Sequence, residues 1–192
     1  PGVSSSELMD CDKIAILMSA RKTGYGDIVA FNDVCNNCDH DHSVDVSLSS
    51  ILEKNNNKSY SPESTEEYQY NSDSGTFSFV LPQTKLTATI KILGPDDINR
   101  LNESKRQKEK LGLSFNETLE FIRSCLVSVE GVVDRASLNK LIEILPASDA
   151  RKIKVVHSSN KPKINTTQDI ACPNCGHSEE KEVPFSLGWF WT

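Results

Sequence analysis

The sequence predicts an α+β protein that combines a zinc-ribbon-like β module with a β-hairpin and a helical segment. Two stretches with the pattern Cys-x-x-Cys predict the module, because alternating polar and apolar residues follow each of them. Alternation over residues 76–93 predicts the hairpin. Apolar residues at helical spacing between 94 and 159 predict about four helices, and one more helix is expected near the N-terminus.

The N-terminal part predicts one helix and two strands. The helix is expected over residues 6–21, where apolar side chains share one face and Gly24 and Gly26 follow as stop signals. Residues 27–34 are predicted to enter the first thiol turn as a strand, and residues 42–48 to leave it as a second strand. Residues 54–75 have almost no aliphatic side chains, which predicts a flexible insertion.

The middle of the chain predicts the hairpin and then the helices. The hairpin strands are 76–81 and 85–93, and helices are expected over 94–110, 114–129, 134–146 and 148–156. The first helix has Pro95 in its opening turn, the second opens with the capping-box pattern Ser114-Phe115-Asn116-Glu117, and Asp134 caps the third. Strands over 163–171 and 180–187 are predicted on either side of the second thiol turn.

These elements predict a domain organisation in three parts. The zinc-ribbon-like module with its N-terminal helix takes residues 1–53 and 160–192. The flexible insertion takes 54–75, and the hairpin with a helical bundle takes 76–159.

The two thiol turns are similar to each other. One reads Cys35-Asn36-Asn37-Cys38-Asp39-His40 and the other Cys172-Pro173-Asn174-Cys175-Gly176-His177. A single offset carries Cys, Asn, Cys and His of the first onto the same residue types of the second, and it also carries Val46 onto Val183. Each stretch is therefore interpreted as a tight turn that presents two thiols and continues into a strand.

Zinc in a structural site takes four ligands in a tetrahedron, and each Cys-x-x-Cys turn supplies two thiolates. The predicted ligands of one structural Zn²⁺ are Cys35, Cys38, Cys172 and Cys175. Disulfides, thiol redox chemistry and unmetallated thiols are the alternatives to this site.

The histidines and asparagines next to the thiols are not predicted to bind the metal. Because four thiolates complete the coordination sphere, His40 and His177 are expected beside the site or on the surface. Asn37 and Asn174 are expected to adopt turn conformations or to accept backbone hydrogen bonds.

Composition narrows the function classes. The chain has 192 residues, a net charge of −6 and a pI of about 5.3, which argues against a large nucleic-acid surface. No stretch approaches the ~20 apolar residues of a membrane helix, and no signal peptide is apparent. We therefore expect a soluble, reduced, cytosolic protein in which Cys11 and Cys125 are buried free thiols. Trp189, Phe190 and Trp191 are expected to dock onto the protein's own core or another subunit.

No catalytic constellation is apparent. The sequence has no phosphate-cradling glycine loop and no convincing set of nucleophile, base and orienting group. A closed four-thiolate site also lacks the open position that catalytic zinc needs. The chain is therefore predicted not to be an enzyme.

Several motifs together suggest a family. They are residues 20–26 (ARKTGYG), 126–134 (LVSVEGVVD), 145–151 (LPASDAR), the second thiol turn, 182–185 (EVPF) and 189–191 (WFW). In this order they resemble the baseplate hub assembly proteins, hub chaperone or subunit, of T4-like contractile-tailed bacteriophages. Asn36 and Asp39 depart from the more familiar Pro and Gly of such turns.

The resemblance implies a non-enzymatic, zinc-binding protein that acts in the baseplate hub or assists its assembly through protein–protein contacts. The implied partners are other phage baseplate and hub proteins. Binding to membranes or nucleic acid is not expected, and self-association into a homo-oligomer is a further possibility that the resemblance allows. The implied location is the host cytoplasm during assembly, with the virion tail baseplate as a further location. A zinc-ribbon nucleic-acid-binding or transcription accessory factor is the alternative function, and a thiol redox enzyme is a third.

Overall fold

A computed structural model describes residues 4–56 and 62–184 of the chain. Within these ranges it confirms the α+β class, with a short 3-10 helix (Ser5–Glu7), six α-helices and eight strands. In chain order they are α1 (Asp10–Tyr25), β1 (Ile28–Val34), β2 (Asp41–Ser47), α2 (Leu48–Asn56), β3 (Gln69–Asn71), β4 (Thr76–Val80), β5 (Thr87–Lys91), α3 (Pro95–Lys110), α4 (Glu117–Cys125), β6 (Leu126–Val129), α5 (Arg135–Glu143), α6 (Ala147–Ser159), β7 (Thr167–Ala171) and β8 (Ser178–Glu182).

The chain folds into two compact units, each made of two segments. One unit comprises Asp10–Tyr60 and Lys163–Thr192, and it contains both thiol turns; we call it the thiol unit. The other comprises Pro1–Met9 and Ser61–Pro162, and we call it the sheet unit.

Two antiparallel hairpins, β1–β2 and β7–β8, form the strands of the thiol unit. In the first hairpin Val29 lies opposite Val46, and both side chains are buried. They belong to an apolar core that α1 and α2 complete, whose fully or nearly buried members are Met18, Val29, Val46, Leu48, Ile51 and Val183. Val46 and Val183, related by the sequence offset, thus enter the same core.

The start of the chain differs from the prediction. The helix expected over residues 6–21 is instead a 3-10 helix followed by α1, which begins at Asp10. Ser4 and Glu7 explain the early turn, because the Ser4 hydroxyl accepts from the backbone N–H of Ser6 while the Glu7 carboxylate accepts from that of Ser4. The first helical turn is therefore closed by its own capping box before α1 starts.

Helix α2 was missed by the sequence reasoning, which ended β2 at Leu48 and placed Lys54 in a flexible insertion. The carboxylate of Asp27 accepts hydrogen bonds from the Ser49 backbone N–H at 2.8 Å and from the Ser49 hydroxyl at 2.6 Å. A residue distant in sequence therefore caps α2. The helix is also held at its other end, where the Lys54 ammonium donates to the Thr167 carbonyl at 3.0 Å.

The sheet unit contains a four-stranded antiparallel sheet in the order β3-β4-β5-β6. Strands β4 and β5 confirm the predicted hairpin, with Phe77 opposite Ile90 and Phe79 opposite Ala88. These four side chains face a core to which the helices contribute Ile122, Cys125, Leu138, Ile142, Ile153 and Val156. The four predicted helices of the segment are present, and Asp134 caps α5 by accepting from the Ser137 backbone N–H at 2.9 Å.

Two parts of the sheet unit correct the sequence reasoning. The helix expected over 114–129 starts after Asn116, which caps α4 in place of Ser114, and ends at Cys125. Leu126–Val129 is strand β6, because pairing with β5 buries Leu126 and Val129 against the sheet core. Residues 69–71, assigned to the insertion, form the edge strand β3 beside β4.

Two buried polar side chains fasten helix α6 to the hairpin of the sheet unit. The Asp149 carboxylate accepts hydrogen bonds from the backbone N–H groups of Gln83 at 2.7 Å and Thr84 at 3.0 Å, and its side chain is fully buried. The His157 Nε2 atom accepts a hydrogen bond from the Leu93 backbone N–H at 3.0 Å. Both contacts satisfy backbone donors at the two ends of the hairpin.

Three further expectations have different outcomes. Cys125 is completely buried, as predicted, whereas Cys11, in the first turn of α1, is only partly buried and corrects the expectation. The aromatic residues 189–191 lie outside the described residues. Among the helices in residues 4–56 and 62–184, none combines the length and apolar character required to cross a membrane.

Candidate metal centre

Both thiol turns have the same backbone geometry. In the first, the Cys35 N–H donates to the His40 carbonyl at 3.1 Å, and in the second the Cys172 N–H donates to the His177 carbonyl at 2.8 Å. The residue after the second thiol is left-handed in each turn, with φ of 53° at Asp39 and 71° at Gly176. Aspartate tolerates this region better than most residues. The Asp-for-Gly departure noted in the sequence therefore leaves the turn intact.

The two turns bring their thiols together. The Sγ atoms of Cys35, Cys38, Cys172 and Cys175 all lie within 4.8 Å of one another. The sulfurs of Cys35 and Cys175 are 3.7 Å apart, and those of Cys38 and Cys172 are also 3.7 Å apart. A tetrahedral zinc ion with Zn–S bonds of about 2.3 Å requires sulfur atoms about 3.8 Å apart. The donor set and its spacing therefore fit a metal ion bound through four thiolates.

The alternative uses of the thiols fit less well. A disulfide requires sulfur atoms about 2.05 Å apart, and all six cysteines are free of disulfides. A thioredoxin-like motif lies between a strand and a helix of a βαβ unit. Here each pair lies in the turn of an antiparallel hairpin. The geometry accordingly favours metal binding over either thiol chemistry.

Each turn has one sheltered and one accessible sulfur. Only 2% of the surface of Cys35 and 4% of that of Cys172 is exposed to solvent, whereas Cys38 is half-buried and Cys175 is exposed. The accessible sulfurs receive side-chain hydrogen bonds from the opposite turn: Asn37 Nδ2 donates to Cys175 Sγ at 3.6 Å, and Asn174 Nδ2 donates to Cys38 Sγ at 3.6 Å.

The two asparagines therefore have a role that the sequence reasoning missed. Both lie in turns, as expected. Their side chains, however, donate hydrogen bonds to sulfur. The reason is that the hydrogen-bond acceptors, two sulfurs, come close only when the hairpins meet. The signal in the sequence was the repetition of Asn at the third position of both turns.

A polar network fastens the two hairpins together next to the sulfurs. The Lys181 ammonium on β8 donates to both carboxylate oxygens of Asp33 at 2.9 Å and to the Val34 carbonyl at 2.8 Å on β1. Asn36 Nδ2 donates to the Glu179 carboxylate at 2.7 Å. These contacts join β1 and its turn to β8, so the thiol pairs are positioned by more than the sulfur cluster itself.

Hydrogen bonding also favours the thiolate form of the most exposed cysteine. The backbone N–H of His177, followed by the side-chain amide of Asn37, lowers the pKa of Cys175 from 9.0 to about 6. Cys175 is therefore disposed to be deprotonated at neutral pH, which is the form that binds a metal ion.

No histidine joins the cluster. Among the residues that the structure describes, the four cysteines are the one group of His, Cys, Asp and Glu side chains whose ligand atoms come close enough to hold a metal ion. His40 stacks on His42 with ring centroids 6.0 Å apart, and its carbonyl closes the first turn. A metal ion held by four thiolates has no position left for a substrate, so such a site stabilises structure.

A family model described as T4 bacteriophage base plate protein matches residues 2–190 of the chain. The match includes both thiol turns and all the helices and strands. No curated protein and no solved structure matches the chain. The resemblance seen in the sequence is thereby confirmed, and the chain belongs to the T4 bacteriophage base plate protein family.

Proposed function

We propose that this protein is a non-enzymatic component or assembly factor of the phage baseplate hub, in which one structural Zn²⁺ is held by Cys35, Cys38, Cys172 and Cys175. The family match over residues 2–190 carries the baseplate role, and the four clustered sulfurs support the zinc. The motifs that resemble hub assembly proteins support the hub in particular.

The zinc would act by joining two hairpins that are distant in sequence. β1–β2 and β7–β8 share a small apolar core with α1 and α2, whose largest buried members are Met18, Leu48 and Ile51. A core of this size stabilises a unit only marginally, and metal binding adds directly to folding free energy. The role of the metal is therefore to hold a surface in one conformation for contact with other baseplate proteins.

The metal assignment is tested by measuring zinc in the purified full chain. We expect one zinc per chain by native mass spectrometry, and loss of that zinc in the double variant Cys172→Ser/Cys175→Ser. Cys11→Ser is the matched control, because Cys11 also lies in the thiol unit but outside the sulfur cluster. A wild-type chain that folds without bound metal would contradict the zinc assignment.

The hub role is tested in infected cells. Phage that lack this protein should accumulate baseplate parts without a complete hub, seen by electron microscopy, and the wild-type gene supplied in trans should restore infectious tails. Mass spectrometry of purified virions then separates a retained tail component from an assembly factor that acts in the host cytoplasm and leaves. Complete hubs in the absence of the protein would contradict the proposal.

The proposed partners are other baseplate and hub proteins, and the proposed interaction excludes nucleic acid. The net charge of −6 opposes phosphate binding. Binding to DNA or RNA that weakens steeply with added salt would instead favour the transcription-factor alternative. The number of copies in the working assembly is read from the same native mass spectra.

A further inference from the structure

We propose that Asn37 and Asn174 are a reciprocal pair of positioning residues, each protecting the accessible thiolate of the opposite turn through an N–H···S hydrogen bond. The two hydrogen bonds slow nucleophilic attack of these sulfurs on electrophiles. The inference rests on the proposed metal site and adds the residues that keep it loaded.

The geometry of the pair is reciprocal. Asn37 belongs to the turn of Cys35 and Cys38 but donates to Cys175, whereas Asn174 belongs to the turn of Cys172 and Cys175 but donates to Cys38, both at 3.6 Å. Neither side-chain amide donates to a sulfur of its own turn among the described hydrogen bonds, although the backbone N–H of Asn37 donates to Cys35 Sγ at 3.4 Å. The pairing therefore forms only when both turns meet.

The pair acts on the sulfurs that need protection. Cys35 and Cys172 are screened from solvent by burial at 2% and 4% exposure, whereas Cys38 is half-buried and Cys175 is exposed. Four thiolates bring more negative charge than one divalent cation neutralises, so the accessible sulfurs remain nucleophilic. An N–H donor withdraws electron density from the sulfur lone pair and thereby slows attack by that sulfur. The effect is large at a thiolate, because hydrogen bonds to charged acceptors are about twice as strong as neutral ones.

The neighbouring residue Asn36 shows that position in the turn decides the role. Its side-chain amide also crosses to the other hairpin, but it donates to the Glu179 carboxylate at 2.7 Å. Asn36→Leu therefore removes a cross-turn hydrogen bond that does not involve sulfur. It is the matched control for Asn37→Leu, which has the same change in size and polarity one residue later.

The test measures which cysteine reacts first. The zinc-loaded full chain is treated with iodoacetamide, the thiolate sulfur forms a bond to the methylene carbon, and iodide leaves. Zinc release is followed with a chromogenic chelator, and peptide mapping by mass spectrometry gives the rate at each cysteine. Loss of one hydrogen bond to a thiolate should raise the rate at that sulfur by about tenfold.

The expected result is a crossed pattern. Asn37→Leu should accelerate alkylation of Cys175 and leave Cys38 unchanged, and Asn174→Leu should accelerate Cys38 and leave Cys175 unchanged. Asn36→Leu should change neither rate. Unchanged rates in both asparagine variants, or acceleration at the cysteine of the substituted turn, would overturn the inference, since the second pattern is that of a locally deformed turn.

A measurement on the wild-type chain decides the question if the variants fail to fold. In protein loaded with ¹¹³Cd and labelled with ¹⁵N, a scalar coupling to the metal should appear on the side-chain amide protons of Asn37 and Asn174 but not on those of Asn36. Absence of both couplings in metal-loaded protein contradicts the inference alone. Failure of the wild-type chain to bind any metal contradicts the proposed function instead.

Discussion

Acidification should destabilise the sheet unit through one buried histidine. His157 lies in α6 with 5% of its surface exposed, and its Nε2 accepts the Leu93 N–H at 3.0 Å. Its ring meets the Phe121 ring edge-on at a centroid distance of 4.8 Å. An imidazole that accepts at Nε2 must be unprotonated there, so the folded protein requires the neutral form.

Burial, with a smaller contribution from the charge of Lys161, lowers the pKa of His157 from 6.5 to about 4. Between these two values the unfolded chain binds a proton that the folded chain does not. The stabilisation is therefore complete above the unfolded pKa and is lost as the pH falls toward the folded pKa. A difference of this size corresponds to roughly 3 kcal/mol in total, of which about 2 kcal/mol is lost between pH 7 and pH 5.

Amide hydrogen exchange measures this loss within the sheet unit and avoids acid effects on the thiols. The slowest amides of β4 and β5 report its unfolding free energy, and their protection should fall from pH 7 to pH 5 after correction for intrinsic exchange. His157→Gln is the control, because glutamine retains an acceptor for the Leu93 N–H but does not titrate in this range. It should show a flatter dependence on pH.

A direct titration of the imidazole by NMR checks the premise. A folded-state pKa of His157 near 6.5 would contradict the prediction. Equal losses of unfolding free energy in wild type and His157→Gln between pH 7 and pH 5 would contradict it as well. Either result would mean that the folded protein accommodates a protonated His157 at little cost in unfolding free energy, even though the contact to the Leu93 N–H is lost.

Three more predictions concern other parts of the molecule. Asp149→Ala should lower the free energy of unfolding by about 3 kcal/mol, because two hydrogen bonds from the hairpin backbone to a charged acceptor are lost. Hydrogen exchange of the Gln83 and Thr84 amides should become faster. Ser148→Ala is the control and should have little effect. Burial raises the pKa of Cys125 to about 12, so iodoacetamide should leave this thiol unmodified at pH 8 until denaturant unfolds the sheet unit. Removal of metal by a strong chelator should abolish the near-ultraviolet and exchange signatures of the thiol unit while the amides of β4 and β5 stay protected. Loss of protection in β4 and β5 on metal removal would contradict this prediction.

Much of the fold follows from local patterns. The β4–β5 hairpin alternates over its whole length, and the start of α3 combines Pro95 with Asp97, whose carboxylate accepts from the Gly94 N–H at 3.3 Å. Asp134 caps α5 as its position predicts. In these places the interacting residues lie within a few positions of one another, so the local sequence is sufficient to predict the structure.

The errors share a different cause. Helix α2 is capped by Asp27, which precedes β1 and β2 in the sequence. The polar residues that follow Leu52 give no local sign of a helix. Residues 126–129 continue a helical apolar pattern, but their pairing with β5 makes them a strand. Tertiary contacts overrode local propensity in both cases.

Residue types and their spacing along the chain suffice to predict the α+β class, the four clustered cysteines and the baseplate family. They do not predict which sulfurs are accessible, or that each accessible sulfur accepts a hydrogen bond from an asparagine of the other turn. Exposure and hydrogen bonding at the sulfurs depend on how the two hairpins meet, because each accessible sulfur and its asparagine donor belong to different turns.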